Sequence, residues 1–174
     1  AAALRMSRLT NSGGKLAPSV IRRMRELFPA ADLYSMYGLT EAFRSTYLEP
    51  ERLDTHPDSM GTAIPFAEIL VADGEGRAIA GEGEGELVHA GPLVAQGYWR
   101  DPERTAERFR HGRVWSGDTV VKGQDGLIRF RGRDDAMIKV SGNRLSPNEI
   151  EEAALASGAV REALALGVAD ERVG

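Results

Sequence analysis

The chain has 174 residues, of which 42% are hydrophobic and 28% are charged, and its formal net charge is −4. This composition is typical of a globular protein, and the acidic balance argues against a nucleic-acid-binding surface, which needs clustered Lys and Arg. The absence of cysteine excludes disulfides, thiolate metal sites and cysteine nucleophiles, and it agrees with the reducing cytoplasm, where we expect the protein to reside. No apolar run approaches the ~20 residues of a transmembrane helix, so we predict that the chain does not span a membrane.

Both ends of the chain are expected to lie inside a longer protein. The first residue is not Met, and residues 1–9 lack the apolar middle of a secretory signal. The last residues, 170–174, follow directly on an apolar run that we expect to continue into further structure.

The first predicted elements are a helix and a strand. Apolar residues recur at helical spacing from Val20 to Phe28, with Pro18 at the front and Pro29 as a stop. The run from Asp32 to Tyr37 is typical of a strand that ends at a glycine. A helix followed by a strand indicates an α/β arrangement.

The middle of the chain has a β-rich texture. From about residue 61 to residue 97, short apolar runs (68–72 and 86–90) alternate with glycine-rich acidic turns, which predicts a small antiparallel β-barrel. Asp101 and Pro102 predict the start of a helix that runs to about Phe109. Further strands are predicted at 114–116 and 127–131, and Trp99 and Trp115 are expected in the core.

The final part reads as strand, helix and strand. Ser146, Pro147 and Glu149 have the spacing of a capping box, which predicts a helix to about Gly158, and 160–168 is predicted to be a strand. A domain boundary is predicted near residues 132–135, where the β-rich pattern gives way to strand, helix and strand. We therefore predict a mixed α/β and α+β fold: the end of an α/β sheet with a small barrel at 1–133, then the start of a small α+β domain at 134–174.

The strongest local motif runs from Tyr37 through Gly38 and Thr40 to Glu41, directly after a predicted strand. Ligands of α/β sheets bind at the carboxyl ends of strands, and a Thr–Glu pair offers hard oxygen ligands for Mg²⁺. A tyrosine ring at this place can stack on a base. A capped strand-to-helix turn explains the same residues without any ligand, and both readings stay open on this motif alone.

Two further segments suggest anion and ribose contacts. Asp118 follows a glycine turn and can accept hydrogen bonds from a ribose diol, although an Asp that caps its own turn looks the same. The segment 132–145 is dense in Gly, Arg and Lys between strands, which favours an anion site or else a salt-bridged hairpin. The three histidines have no metal-ligand spacing, and none is expected to be a catalyst.

In order along the chain, these segments resemble the adenylate-forming superfamily of acyl-CoA synthetases, peptide-synthetase adenylation domains and luciferases. The resemblance covers nearly the whole chain. Its motifs are the Gly-Gly segment 12–16, the Gly-Glu-Leu, Gly-Tyr-Trp and Thr…Phe segments within 85–109, the Ser-Gly-Asp segment 116–118, and the hinge with its following region at 132–151.

The resemblance implies that the enzyme joins a carboxylic acid to ATP, releases pyrophosphate and passes the acyl group to the thiol of coenzyme A. It implies ATP or AMP, Mg²⁺ and coenzyme A as ligands, with Thr40 and Glu41 as catalytic residues. Glu41 would hold Mg²⁺ and Asp135 would be the hinge between two domain orientations. The implied nucleotide- and pantetheine-binding residues are Gly13, Gly14, Tyr37, Gly38, Asp118, Arg133, Ser141 and Gly142.

Several alternatives remain open from the sequence. The family's phosphate loop and its C-terminal lysine are absent, so we expect this piece alone to have little or no ligase activity. An adenylation domain that loads a carrier-protein pantetheine, or a nucleotide-binding module without catalysis, fits the same motifs. Fatty acid metabolism is the expected setting, but the acid and its chain length are open. We also expect that exposed apolar faces around Leu33 and Met36 could drive self-association.

Overall fold

The computed structural model describes residues 5–140 and 143–168. Among these residues, three α-helices are present: α1 (Pro18–Leu27), α2 (Pro102–Arg108) and α3 (Pro147–Ala156). Each begins with a proline in its first turn, where the missing N–H costs no helical hydrogen bond. All three helices predicted from the sequence are confirmed. Among the described residues, no helix has both the length and the apolar character that a membrane span requires.

The strands of the described residues form one large sheet and one small hairpin. The sheet follows the order β1-β2-β3-β4-β9-β8-β6-β5, with β7 paired to β8, and β10 pairs with β11 in a separate hairpin. The strands are β1 (Arg8–Asn11), β2 (Asp32–Leu39), β3 (Phe43–Leu48), β4 (Ser59–Ala63), β5 (Glu68–Ala72), β6 (Gly83–Ala90), β7 (Phe109–Arg110), β8 (Arg113–Lys122), β9 (Ile128–Arg133), β10 (Ile138–Val140) and β11 (Asn143–Leu145).

The sheet is parallel only at its first edge. Strand β1 runs parallel to β2, with α1 as the crossover, and every other pairing is antiparallel. The mixed fold class is confirmed. The antiparallel region continues the β1–β4 sheet through β4 and β9, and over the described residues it stays open between β5 and β4. It is therefore an extension of the sheet and not a separate closed barrel.

Two apolar clusters cover the sheet. One packs α1 against the first strands, with Ile21, Leu33 and Leu48 as members, and the other lies among β4, β5, β6, β8 and β9 around Leu87 and Val120. Leu33 is only 1% exposed. The expectation that the Leu33 side chain is exposed is therefore wrong, because α1 covers it, and self-association stays a prediction.

Three local predictions are corrected. Residues 160–168 form no strand, because no described strand pairs with them, and Leu164, Leu166 and Val168 are exposed. The tryptophans also differ from expectation, since Trp99 lies on the surface with 86% exposure while Trp115 is half-buried.

The predicted capping box does not form, although the helix it announced does. The Ser146 side chain makes no cap hydrogen bond, and its buried hydroxyl has no partner among the described residues. The Glu149 carboxylate accepts instead from Arg131 at 2.8 Å, on strand β9. The ion pair between Arg131 of β9 and Glu149 of α3 thus uses the carboxylate that a capping box would require.

Candidate active site

The parallel edge of the sheet places the first candidate residues together. Because β1 and β2 run parallel, with Asn11 opposite Ser35, their carboxyl ends point the same way. Gly13 and Gly14 follow the end of β1, and Tyr37 and Gly38 lie at the end of β2. A Cβ added at Gly13 or Gly14 would meet open space, so this loop presents bare backbone at the strand ends.

A β-bulge shapes the end of β2. The pairing register between β2 and β3 shifts at Tyr37 and Gly38, and a Cβ at Gly38 would lie 1.9 Å from the Phe43 carbonyl oxygen. Gly38 therefore has a packing role in the hairpin, independent of any ligand. The turn that follows carries Thr40, which is exposed, and Glu41, which is half-buried.

Asp118 is the centre of the site. It lies in β8, and its cross-strand neighbour in β9 is Arg133, whose Nη1 donates to Asp118 Oδ1 at 3.0 Å. The Tyr37 hydroxyl donates to the other carboxylate oxygen, Oδ2. Residues 81 and 15 positions away in sequence thus meet on one carboxylate, and the structure brings together three of the residues predicted from separate motifs.

Burial decides the proton affinities of this cluster. Burial raises the pKa of the Asp118 carboxyl, while the hydrogen bond from Tyr37 and the charge of Arg133 oppose that rise. Burial also raises the pKa of the Tyr37 phenol, and the Asp118 carboxylate adds to it. Tyr37 is therefore a hydrogen-bond donor at neutral pH, and Asp118 has lone pairs left to accept from a further donor.

The predicted hinge residue is joined to the same arginine. Arg133 Nε donates to Asp135 Oδ1 at 3.1 Å, and this hydrogen bond lowers the pKa of the Asp135 carboxyl. Asp135 lies in a short 3-10 turn at 134–136 between β9 and β10. Arg133 thus bridges the two carboxylates, one buried in the sheet and one exposed where β9 ends.

His89 belongs to this cluster, and the sequence interpretation missed it. Its ring stacks on Tyr37 with centroids 5.9 Å apart, it is 1% exposed, and neither ring nitrogen has a partner among the described residues. Burial lowers the pKa of His89 to about 4, against a weaker opposing effect of Glu41. A signal existed in the sequence, because His89 stands between the apolar residues Val88 and Ala90 of β6, and all three are buried in the structure.

Glu41 is held by a segment that lies far along the chain. The Ala95 backbone N–H donates to the Glu41 carbonyl oxygen at 2.7 Å, and the Tyr98 hydroxyl donates to Glu41 Oε1. Sequence reasoning identified Glu41 from its motif but gave Tyr98 no role beside it.

The residues present fit a magnesium ion that arrives with a nucleotide. No group of three or more His, Asp or Glu side chains among the described residues could hold a metal alone. Mg²⁺ is commonly bound through one or two carboxylates together with substrate phosphates and water, and the half-buried Glu41 offers one such carboxylate. Ser141 and Gly142, predicted on the pantetheine path, lie outside the described residues.

Comparison with known proteins shows the family of this chain. Residues 2–99, more than half of the chain, match the family model described as AMP-binding enzyme. A long-chain-fatty-acid–CoA ligase of Salmonella typhimurium is 34% identical over 160 residues, which are 92% of this chain and 28% of that protein. A D-alanine–D-alanyl carrier protein ligase of Lacticaseibacillus casei is 33% identical over 148 residues, 80% of this chain and 29% of that ligase.

The fold is also similar to that of solved structures. The solved structure of the amide bond synthetase McbA from Marinactinospora thermotolerans superposes with a TM-score of 0.86 at 28% identity, covering 96% of this chain and 35% of that one. The chain spans less than a third of the length of the curated relatives named above. With the matching family model, the shared fold and the resemblance of its ordered motifs, the chain belongs to the AMP-binding enzyme family.

Proposed function

We propose that this chain is the nucleotide-facing part of an AMP-forming acid–thiol ligase. In the first step, a carboxylate oxygen of the acid attacks the α-phosphorus of ATP, and the bond to pyrophosphate breaks. In the second step, the sulfur of the coenzyme A thiol attacks the acyl carbon, AMP leaves, and the thiol proton is released. Both steps need positioning and charge neutralisation more than acid–base catalysis, which suits a site without Cys or reactive His.

The observation that carries this proposal is the meeting of Tyr37 and Arg133 on the buried Asp118 carboxylate. We assign the ribose hydroxyls to the remaining lone pairs of Asp118 and the adenine to the Tyr37 ring, whose position His89 fixes from one side. Arg133 supplies positive charge beside the ribose and phosphates, since its guanidinium is half-exposed while it holds Asp118.

The phosphate end of the nucleotide is assigned to the turn after β2. Thr40 is exposed there and can contact phosphate oxygens, and Gly13 and Gly14 line the junction of adenine and acyl group with open backbone. Glu41 would hold the magnesium ion, which when bound neutralises the phosphate charge that develops during transfer. The acyl transfer to coenzyme A would use Ser141 and Gly142 after a domain rotation about Asp135.

Nucleotide binding tests this proposal directly. We expect a stable acyl-adenylate mimic to bind when it is titrated into this protein in a calorimeter. Asp118→Asn should weaken this binding by about tenfold or more, because a neutral amide loses the charge-assisted hydrogen bonds from the ribose hydroxyls. Asp125→Asn is the matched control, since Asp125 also pairs with an arginine of β9, Arg129 at 3.1 Å, but lies on an exposed turn. Equal affinity of the wild type and Asp118→Asn would contradict the proposal.

The acceptor has a second candidate. The similarity to a carrier protein ligase favours a phosphopantetheinyl carrier protein, whereas the similarity to a fatty-acid ligase favours coenzyme A and a fatty acid. Mass spectrometry of the thioester formed by the complete protein distinguishes the two, when coenzyme A competes with a phosphopantetheinylated carrier protein whose thiol is free. ATP and coenzyme A are cytoplasmic substrates, which supports a cytoplasmic location in either case.

A further inference from the structure

Glu41 is attached to a distant segment through both its backbone and its side chain. The Ala95 N–H donates to the Glu41 carbonyl oxygen at 2.7 Å, and the Tyr98 hydroxyl donates to Glu41 Oε1. We call residues 95–98 the Glu41 clasp. These two contacts, separated by 54 and 57 residues in sequence, hold the turn that follows β2 against the segment that leads into α2.

The tyrosine of the clasp is itself held in place. Its backbone N–H donates to Thr105 Oγ1 at 2.9 Å, and that hydroxyl donates to the Asp101 carbonyl oxygen at 2.6 Å. The edge of the Tyr98 ring meets Phe109 at 5.5 Å between centroids, and the Arg104 guanidinium lies 4.9 Å from the ring centroid. The first turn of α2 and the start of β7 therefore place the hydroxyl before any ligand arrives.

The Tyr98 hydroxyl, fixed on Glu41 Oε1, restricts the orientation of the second carboxylate oxygen of Glu41. A glutamate on a turn has three rotatable side-chain bonds, and its carboxylate samples many orientations unless a partner restrains it. When Tyr98 occupies Oε1, the second oxygen of Glu41 is held in one direction and keeps its acceptor capacity. Partners of this kind, which orient a metal ligand without touching the metal, commonly control metal affinity.

We infer that Tyr98 is a positioning residue that orients the Glu41 carboxylate for a magnesium–nucleotide complex. This inference rests on the proposed function, because it takes Glu41 as the magnesium ligand. It adds a role for the Tyr98 hydroxyl that the chemistry of the reaction does not require. The interaction acts on the ion and the phosphates, not on the adenine or ribose at Asp118.

The test is a metal titration of the Tyr98→Phe variant of the complete protein. Phenylalanine keeps the ring against Phe109 and Arg104 and removes only the hydroxyl. With the non-cleavable analogue α,β-methylene ATP present, we expect the affinity for Mn²⁺, followed by electron paramagnetic resonance as a probe for Mg²⁺, to fall about 10-fold or more. The affinity for the analogue without metal is expected to stay unchanged. A general loss of structure would lower that affinity as well, so this measurement distinguishes the two.

The chain offers a matched control in a second Tyr–Glu pair. The Tyr47 hydroxyl donates to Glu49 Oε1 at 2.5 Å near the end of β3, at an exposed place outside the candidate site. Tyr47→Phe therefore removes the same kind of contact, and we expect it to leave the Mn²⁺ affinity unchanged. An equal loss in Tyr47→Phe and Tyr98→Phe would overturn the inference.

Glu41→Gln separates failure of the inference from failure of the proposed function. If Glu41→Gln leaves Mn²⁺ affinity unchanged, Glu41 is not the metal ligand, and the inference falls with that assignment. If Glu41→Gln weakens Mn²⁺ binding and Tyr98→Phe does not, only the inference is wrong. If both weaken it, the double variant should lose little more than Glu41→Gln alone, because Tyr98 acts through Glu41.

Discussion

At the scale of single residues, His89 shows how burial keeps a histidine of the candidate site neutral. The ring lies against Tyr37, and burial lowers the pKa of His89 to about 4 although the charge of Glu41 opposes this shift. An unfolded chain has a histidine pKa near 6.5. The folded protein therefore binds this proton less readily than the unfolded chain does.

The pKa difference predicts acid sensitivity. The contribution of neutral His89 to the unfolding free energy is fully present above pH ~6.5 and is lost as the pH falls towards 4. At that pH, protonation of His89 stabilises the unfolded chain by up to about 3 kcal/mol. We expect His89→Phe, which keeps a planar ring beside Tyr37, to reduce the loss of unfolding free energy between pH 7 and pH 4 by this amount in urea titrations.

An exposed histidine supplies the comparison. His111 lies on the turn between β7 and β8, and His111→Asn keeps a residue that tolerates its positive φ of 54°. We expect this variant to follow the wild-type pH dependence. A His89→Phe curve parallel to the wild type across this pH range would show that His89 does not stay neutral in the fold.

At the scale of elements, two glycines with similar positive φ angles test how closely the strands pack. Gly61 in β4 has φ +79°, and a Cβ there would lie 1.8 Å from the Tyr47 carbonyl oxygen of β3. Gly126, in the turn between β8 and β9, has φ +74° with nothing within 4 Å. Comparing alanine at the two positions therefore separates the free-energy cost of a positive φ from that of a steric clash between β3 and β4.

Alanine substitution should distinguish the two positions. We expect Gly126→Ala to lower the unfolding free energy by about 1–2 kcal/mol, from the left-handed backbone alone. Gly61→Ala should cost a further ~1–3 kcal/mol, because β3 and β4 must move apart. Chemical denaturation of both variants measures the difference, and equal costs would mean that β3 and β4 separate without resistance.

At the scale of the whole molecule, α3 is attached to the rest of the structure mainly by charge. Lys15 pairs with Glu152 at 2.7 Å and Arg131 pairs with Glu149 at 2.8 Å, and α3 has no buried residue among those described. Exposed ion pairs contribute little, about 0–1 kcal/mol each, and salt screens them. A weak attachment is what a domain that rotates about residues near Asp135 would need.

Hydrogen exchange tests this attachment. We expect the double variant Glu149→Gln and Glu152→Gln to speed exchange of the α3 amides while those of β8 and β9 change little. Added salt should bring the wild type towards the variant. Glu26→Gln, which breaks the Arg23–Glu26 pair within α1, should leave α3 exchange unaffected. Unchanged α3 exchange in the double variant would show that other contacts hold the helix.

Local patterns in the sequence were sufficient for much of this fold. The prolines at the first positions of α1, α2 and α3 located the helix starts, and the glycine-rich turns delimited β5 and β6, because these signals act within a few residues. The segment 160–168 was predicted as a strand and is not one. Its apolar residues have the composition of a strand, but a strand also requires a partner that no local pattern supplies.

Short stretches of sequence are enough to predict the family, the helix positions and the candidate residues Tyr37, Glu41, Asp118 and Arg133, because family motifs and caps are local. Which of these residues touch depends on the tertiary structure. In the tertiary structure, Tyr37 and Arg133 both donate hydrogen bonds to Asp118, and Tyr98 donates one to Glu41. The His89 ring stacks on Tyr37. Strand order and register create these contacts between distant residues, and neither can be read from spacing along the chain.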